Sequence, residues 1–267
     1  MLKNGRIYYA ILSLLLVFNT SCTNFQKLLK SSDNELKYTK AIEYFEKEDY
    51  QKAQELFEGL KTIYKGTSEK GEKVMYYYAQ CAYNLSQYEL AQYLFKSFVK
   101  QYPASKNTEE ALFLSAYCFY LMSPQSSLEQ INTVEALQEL QLFLERFPSS
   151  SHRQEAETMV DKLQVKLETK AYDNANLYLT IGDYRAAIVA LKNVLLKYPD
   201  TKYREDILFT IVKASYLYAE NSIYSKQLER YKATISAYYN FIDNYPNSKK
   251  AKEAEKYYTN SQKFIDK

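Results

Sequence analysis

The chain has 267 residues, with five Gly, five Pro, 29 Tyr and no Trp; 35 basic against 32 acidic residues give a formal net charge of +3. So little turn punctuation argues against a strand-rich fold, and the abundance of Ala, Leu, Lys, Glu and Gln favours helices. The sign-mixed charge lacks the basic face that a nucleic-acid partner requires, so none is expected.

At the amino terminus Lys3 and Arg6 precede an apolar run from Ile7 to Phe18, followed by small polar residues and Cys22. A basic start, a short apolar stretch and a small-residue cleavage zone make a secretory signal peptide. The run is too short for a membrane-spanning helix, which takes about 20 apolar residues. Asn19-Thr20-Ser21-Cys22 resembles a bacterial lipobox, although Asn19 stands where an aliphatic residue is usual. A thiol is the natural nucleophile for thioether attachment of a diacylglyceryl group, and several acyl chains anchor a protein stably where one does not. The expected organisation is a signal peptide over 1–21, a lipidated tether over 22–32 with Cys22 as the acylated residue, and a helical domain over 33–267. No acid follows at Thr23-Asn24, which in a didermic bacterium implies the periplasmic face of the outer membrane.

An internal repeat dominates the rest. An aromatic-Pro pair recurs at Tyr102-Pro103, Phe147-Pro148, Tyr198-Pro199 and Tyr245-Pro246. Upstream of each lies the same register: Tyr88, Ala91, Phe95, Phe98; Thr133, Ala136, Leu140, Phe143; Tyr184, Ala187, Leu191, Val194; Tyr231, Thr234, Tyr238, Phe241. A first unit has Tyr50, Ala53, Phe57 and Leu60, with Lys65 in the place of Pro. Offsets of 3, 7 and 10 fall on one helical face. The small residue lets a partner helix approach, the large ones fill the groove beyond it, and Pro ends the helix because it has no N–H to donate. A second helical pattern precedes each register, with Ala41, Ala79 and Ala175 at the expected crossings.

These positions resemble the tetratricopeptide repeat. The predicted fold is all-α: five tetratricopeptide-like hairpins stacked as a right-handed solenoid, plus a C-terminal capping helix. The units fall at about 33–66, 67–104, 105–149, 150–200 and 201–247, with the cap at 248–265. Spacings of 38, 45, 51 and 47 residues between successive Pro positions exceed the roughly 34 of the ideal repeat. The extra length is assigned to a loop between Ser123 and Gln130, an overlong helix from about Arg153 to Thr180, and an insertion after a helix over Ile207–Tyr224.

No catalytic, metal or cofactor chemistry is expected. His152 stands alone at a helix start, Gly182-Asp183-Tyr184 is an inter-helix turn, Glu109-Glu110 suits a helix dipole, and Cys81 and Cys118 read as small buried residues. The first helix of each hairpin is expected to line a concave surface. Positions there that face away from the second helix are Tyr38, Ile42, Phe45, Tyr76, Gln80, Tyr83, Phe113, Tyr117 and Tyr120. Eight of these nine are aromatic or aliphatic, the composition of an interaction site. The alternative is that they pack against neighbouring helices.

The lipoprotein-like start, the five long repeats and the stretch from Lys166 to Thr201 together resemble the outer membrane protein assembly factor BamD family. Ala171-Tyr172, Ala175, Tyr178, Gly182-Asp183-Tyr184-Arg185-Ala186-Ala187 and Tyr198-Pro199-Asp200-Thr201 carry the most specific part. The resemblance implies a lipid-anchored periplasmic member of the barrel-assembly machinery. It would bind the periplasmic domains of the central barrel subunit through its C-terminal repeats and unfolded outer-membrane barrel proteins on its N-terminal ones. Arg185, Arg204 and Arg230 are candidates for the partner interface. A repeat-bearing lipoprotein scaffold that coordinates envelope constriction or cell-wall synthesis is the alternative reading.

Overall fold

A computed structural model describes residues 24–64, 66 and 68–266. Eleven helices follow one another there: α1 Asn34–Glu46, α2 Tyr50–Ile63, α3 Glu69–Asn84, α4 Tyr88–Gln101, α5 Thr108–Met122, α6 Ile131–Arg146, α7 Arg153–Thr180, α8 Tyr184–Lys197, α9 Arg204–Glu220, α10 Tyr224–Asn244 and α11 Ala251–Ile265. The signal segment and Cys22 lie outside the described residues. A short helical segment occupies 24–29. Its Phe25 is buried and meets Tyr44 edge-on at 5.6 Å, so this part of the expected tether is packed rather than free.

Three of the five hairpin turns, those of the first, second and fourth hairpins, share one backbone device. Glu48, Ser86 and Gly182 adopt positive φ of 60, 59 and 82°, each two residues before the second helix of its pair. After each, the N–H of Asp49, Gln87 and Asp183 reaches back to the carbonyl of Tyr44, Ala82 and Tyr178 at 2.9 Å. This six-to-one bond closes the first helix with a left-handed residue. The side chain of Asp183 then accepts from the Ala186 N–H at 3.0 Å and caps the second helix. At the far end, Tyr102, Phe147, Tyr198 and Tyr245 donate to the last turn at 2.8–2.9 Å, and the Pro that follows each ends the run.

The repeat register is the core. Ala53, Ala91, Ala136, Ala187 and Thr234 are buried at the crossings, and Phe57, Leu60, Phe95, Phe98, Leu140, Phe143, Leu191, Val194 and Phe241 fill the space beyond them. Each such Leu or Phe contributes about 1.5–3 kcal/mol by leaving water. Tyr238 alone of the large positions is half-buried. The insertion read in the fifth hairpin is helical: α9 ends at Glu220, and α10 starts at Tyr224, nearly two turns ahead of the register residue Tyr231.

The chain divides into two compact units, one running through Ser123 and including Ile131–Val160, the other formed by Pro124–Gln130 and Asp161 onward. Within the first, α1 to α6 pack in sequence, each on the next. Gly71 in α3 sits so close to the preceding loop that an added Cβ would lie 2.4 Å from the Tyr64 carbonyl oxygen. Glu139 is buried on α6, where Lys96 of α4 holds one carboxylate oxygen at 2.5 Å. Within the second, α8, α9, α10 and α11 pack in sequence, and α9 also meets α11. In its loop the buried Gln130 side chain donates to the carbonyls of Gln125 and Leu128 at 2.7 and 2.8 Å.

Candidate functional site

In the first unit, α1 presents Tyr38, Ile42 and Phe45, α3 presents Tyr76, Gln80 and Tyr83, and α5 presents Phe113, Tyr117 and Tyr120, each set on one helical face. Four of the rings, on α3 and α5, form a connected row. Tyr83 meets Tyr117 at 6.3 Å, and Phe113, Tyr117 and Tyr120 stack in succession at 5.9 Å. Phe45 packs on Tyr77 at 4.7 Å, and the Gln80 amide donates to the Tyr76 hydroxyl at 2.9 Å.

The row is less open than the sequence pattern implies. Phe113 is 4% exposed and is a core residue, and the other eight are half-buried. Tyr76 contacts Phe98 and Phe95 of α4 at 5.4 and 6.4 Å, and Phe113 contacts Phe143 of α6 at 5.4 Å. Both therefore lean onto the second helix of their own hairpin, where they were expected to face away from it. A large ring beside the crossing gains more by covering the apolar seam than by standing in water. Burial raises the hydroxyl pKa of Tyr38, Tyr76, Tyr83 and Tyr117. His152 stacks on Phe113 at 4.1 Å and bonds Glu110 through Nε2 at 2.9 Å, as a helix-start residue with partners does.

In the second unit the three expected arginines separate. Arg204 donates to the Pro199 carbonyl at 2.9 Å, tying the start of α9 to the loop before it. Arg185 and Arg230 both line a groove of about 600 Å³ between α8, α9 and α10. Its apolar lining includes Ile188, Val189, Leu208 and Ile211, while Ala233, Ser236 and Ala237 keep the α10 wall low. This groove was not read from the sequence as a unit. Its signal was a second periodic face on α8, with Arg185, Ile188, Val189 and Lys192 spaced as neighbours on the side away from the core stripe of Ala187, Leu191 and Val194.

Cys81 and Cys118 are buried and free, and burial pushes both thiols up to about 12. Neither is a nucleophile in the folded protein. No group of three or more His, Cys, Asp or Glu suited to a metal occurs among the described residues, and no helix among them is long and apolar enough to cross a membrane.

Paired antiparallel helices with small residues at the crossings and an aromatic-Pro stop define a tetratricopeptide-type repeat protein. Within that class, the chain belongs to the outer membrane lipoprotein family YfiO, whose model matches residues 30–227. It is 25% identical over 266 residues to the putative outer membrane protein assembly factor BamD of Aquifex aeolicus, an alignment that covers 99% of this chain and 84% of that protein. It is 26% identical over 117 residues to the outer membrane protein assembly factor BamD of Caulobacter vibrioides, covering 44% of this chain and 38% of that one. Among solved structures, the P58(IPK) TPR domain aligns over 90% of this chain and 68% of its own at 14% identity, with a TM-score of 0.42.

Proposed function

We propose that the protein is a lipid-anchored, periplasm-facing component of the machinery that assembles barrel proteins into the outer membrane. The observation that carries this reading is the family match, together with the alignment of nearly the whole chain with the Aquifex aeolicus protein named as such a factor. The anchor is Cys22, acylated after cleavage behind Ser21. The second unit docks the central barrel subunit, and Arg185 and Arg230 are its charged contacts. The first unit receives unfolded barrel proteins on the row of Tyr38, Ile42, Phe45, Tyr76, Gln80, Tyr83, Tyr117 and Tyr120. Half-buried tyrosines suit that task, since each offers contact area and a hydroxyl with little rotamer freedom to lose.

Affinity capture of the full-length protein from detergent-solubilised envelopes tests the reading. The central barrel subunit is expected to co-purify, and a chain truncated after Thr180 is expected to lose it. Recovery of cell-wall synthesis or constriction proteins in its place would contradict the assignment. Cys22→Ala is expected to move the protein out of the outer-membrane fraction or leave it unprocessed, and normal processing and retention would remove the lipid anchor from the account.

A further inference from the structure

The groove of the second unit carries charge that the protein itself does not neutralise. Four cations line it, Arg185, Lys192, Lys226 and Arg230, against one acid, Glu229. Glu229 is occupied by Lys226 at 3.4 Å. Among the described residues, Arg185, Lys192 and Arg230 form no ion pair with any carboxylate.

Arg230 is also fixed in place. Its guanidinium lies 3.8 Å from the centroid of the Tyr218 ring and donates to the Ser222 hydroxyl. Tyr218 itself lines the groove. Stacking on a ring and one hydrogen bond leave most of the five guanidinium donors unused. An arginine held in one orientation with donors to spare binds a carboxylate at little entropic cost. Between the cations the lining is apolar and low, with Ile188, Val189 and Ile211 opposite Ala233 and Ala237. Lipid headgroups or free phosphate would leave that apolar surface uncovered. An extended chain with alternating acidic and aliphatic side chains would cover it and reach the cations on both sides.

We propose that this groove binds an extended acidic segment of a partner protein, with carboxylates paired to Arg230 and Arg185 and aliphatic side chains seated on Ile188, Val189 and Ile211. The inference rests on the reading of the second unit as a protein-docking surface, from which it takes the class of occupant.

The test is fluorescence anisotropy on the full chain, with a fluorescein-labelled octapeptide of alternating glutamate and leucine as the probe. Saturable binding that weakens as salt rises is expected. Arg230→Gln and Arg185→Gln should each weaken it about tenfold or more. Arg185 is exposed, so its variant keeps the test open if Arg230→Gln disturbs packing. Ala233→Phe should block the groove. Arg204→Gln, whose side chain is spent on the Pro199 carbonyl, should leave binding unchanged. The inference is overturned if no saturation appears by about 1 mM, if a lysine–leucine peptide binds as well, or if Arg204→Gln weakens binding as much as Arg185→Gln. It is equally overturned if phosphatidylglycerol vesicles bind with the same arginine dependence and displace the peptide. Co-purification of the central subunit with the full-length protein is scored separately. A silent peptide titration with co-purification intact removes the groove's occupant and leaves the docking reading standing.

Discussion

The two units solve the same problem with opposite residues. In the first, the faces that could form a groove are filled with rings: Tyr76 leans on Phe98, Tyr83 on Tyr117, and Phe113 on Phe143. In the second, Ala233, Ser236 and Ala237 on α10, the second helix of its hairpin, keep one wall low and leave about 600 Å³ open. Their charges differ in the same sense. The buried carboxylate of the first unit, Glu139, has Lys96 as its partner, whereas the groove of the second keeps Arg185 and Arg230 without a carboxylate among the described residues. Both units are built on one register, but rings half-fill the row of the first, whereas small residues on α10 leave the groove of the second open.

Substitutions that ignore this contrast should separate the units. Truncating a ring of the first unit that is part of its packing has the largest expected effect. Tyr76→Ala should cost about 2–4 kcal/mol and Phe113→Ala about 3–5, read as a shift in denaturant midpoint. Val189→Ala on the open groove should cost under about 0.5 kcal/mol. If Tyr76→Ala were as mild as Val189→Ala, the first unit's row would be an open surface after all. Next, Lys96→Ala strands the Glu139 carboxylate and should cost about 2–3 kcal/mol, less than a fully buried pair because the lysine is half-exposed. Adding Glu139→Leu should recover most of that loss, and a strictly additive double variant would mean the two side chains do not interact.

How much of this the sequence carried depends on which physical rule each feature obeys. The repeat register is a matter of periodicity and residue size, so Ala91, Phe95 and Phe98 could be placed in the core from spacing alone. The 28-residue α7 was legible because no breaker interrupts Arg153–Thr180. Periodicity assigns a face and not the reach of a side chain, so it could not tell that Tyr76 bends back onto α4. The groove depends on three helices contributing small or charged residues to one place, a coincidence that no single segment displays. Gly71 was invisible for the same reason, since the atom it must avoid, the Tyr64 carbonyl oxygen, belongs to another element.

Smaller effects follow. Gly71→Ala should cost about 1–3 kcal/mol through that clash, in contrast to Gly59→Ala, where a Cβ meets nothing within 4 Å and helix propensity should yield a gain of up to about 1 kcal/mol. Ser86→Gly, at φ 59°, should stabilise the turn by about 0.5–1 kcal/mol, because a Cβ is a liability in the left-handed region. A loss there would show that the Ser86 hydroxyl matters more than its backbone.

Alkaline pH should act through the tyrosines of both units. Burial pushes the hydroxyls of Tyr64, Tyr78 and Tyr257 up to about 12, against about 10 in an unfolded chain. Between those values the unfolded state has given up protons that the folded state retains, so stability falls as pH rises. Their contribution is complete below about pH 10 and lost by about pH 12. Denaturant midpoints followed alongside tyrosinate absorbance should show this window, and a flat profile across it would mean that the three hydroxyls are as solvated as free tyrosine.

The most direct test of the division of labour uses a photo-crosslinking amino acid placed one position at a time in the full-length protein, in living envelopes. Val189 and Tyr224 report on the second unit, and Leu36 and Tyr93 on the first; all four side chains are exposed. The account predicts that Val189 and Tyr224 trap the central barrel subunit, and that Leu36 and Tyr93 trap newly secreted barrel proteins whose yield falls when synthesis stops. Crosslinks to the central subunit confined to the first unit, or no barrel-assembly partner at any of the four, would contradict it.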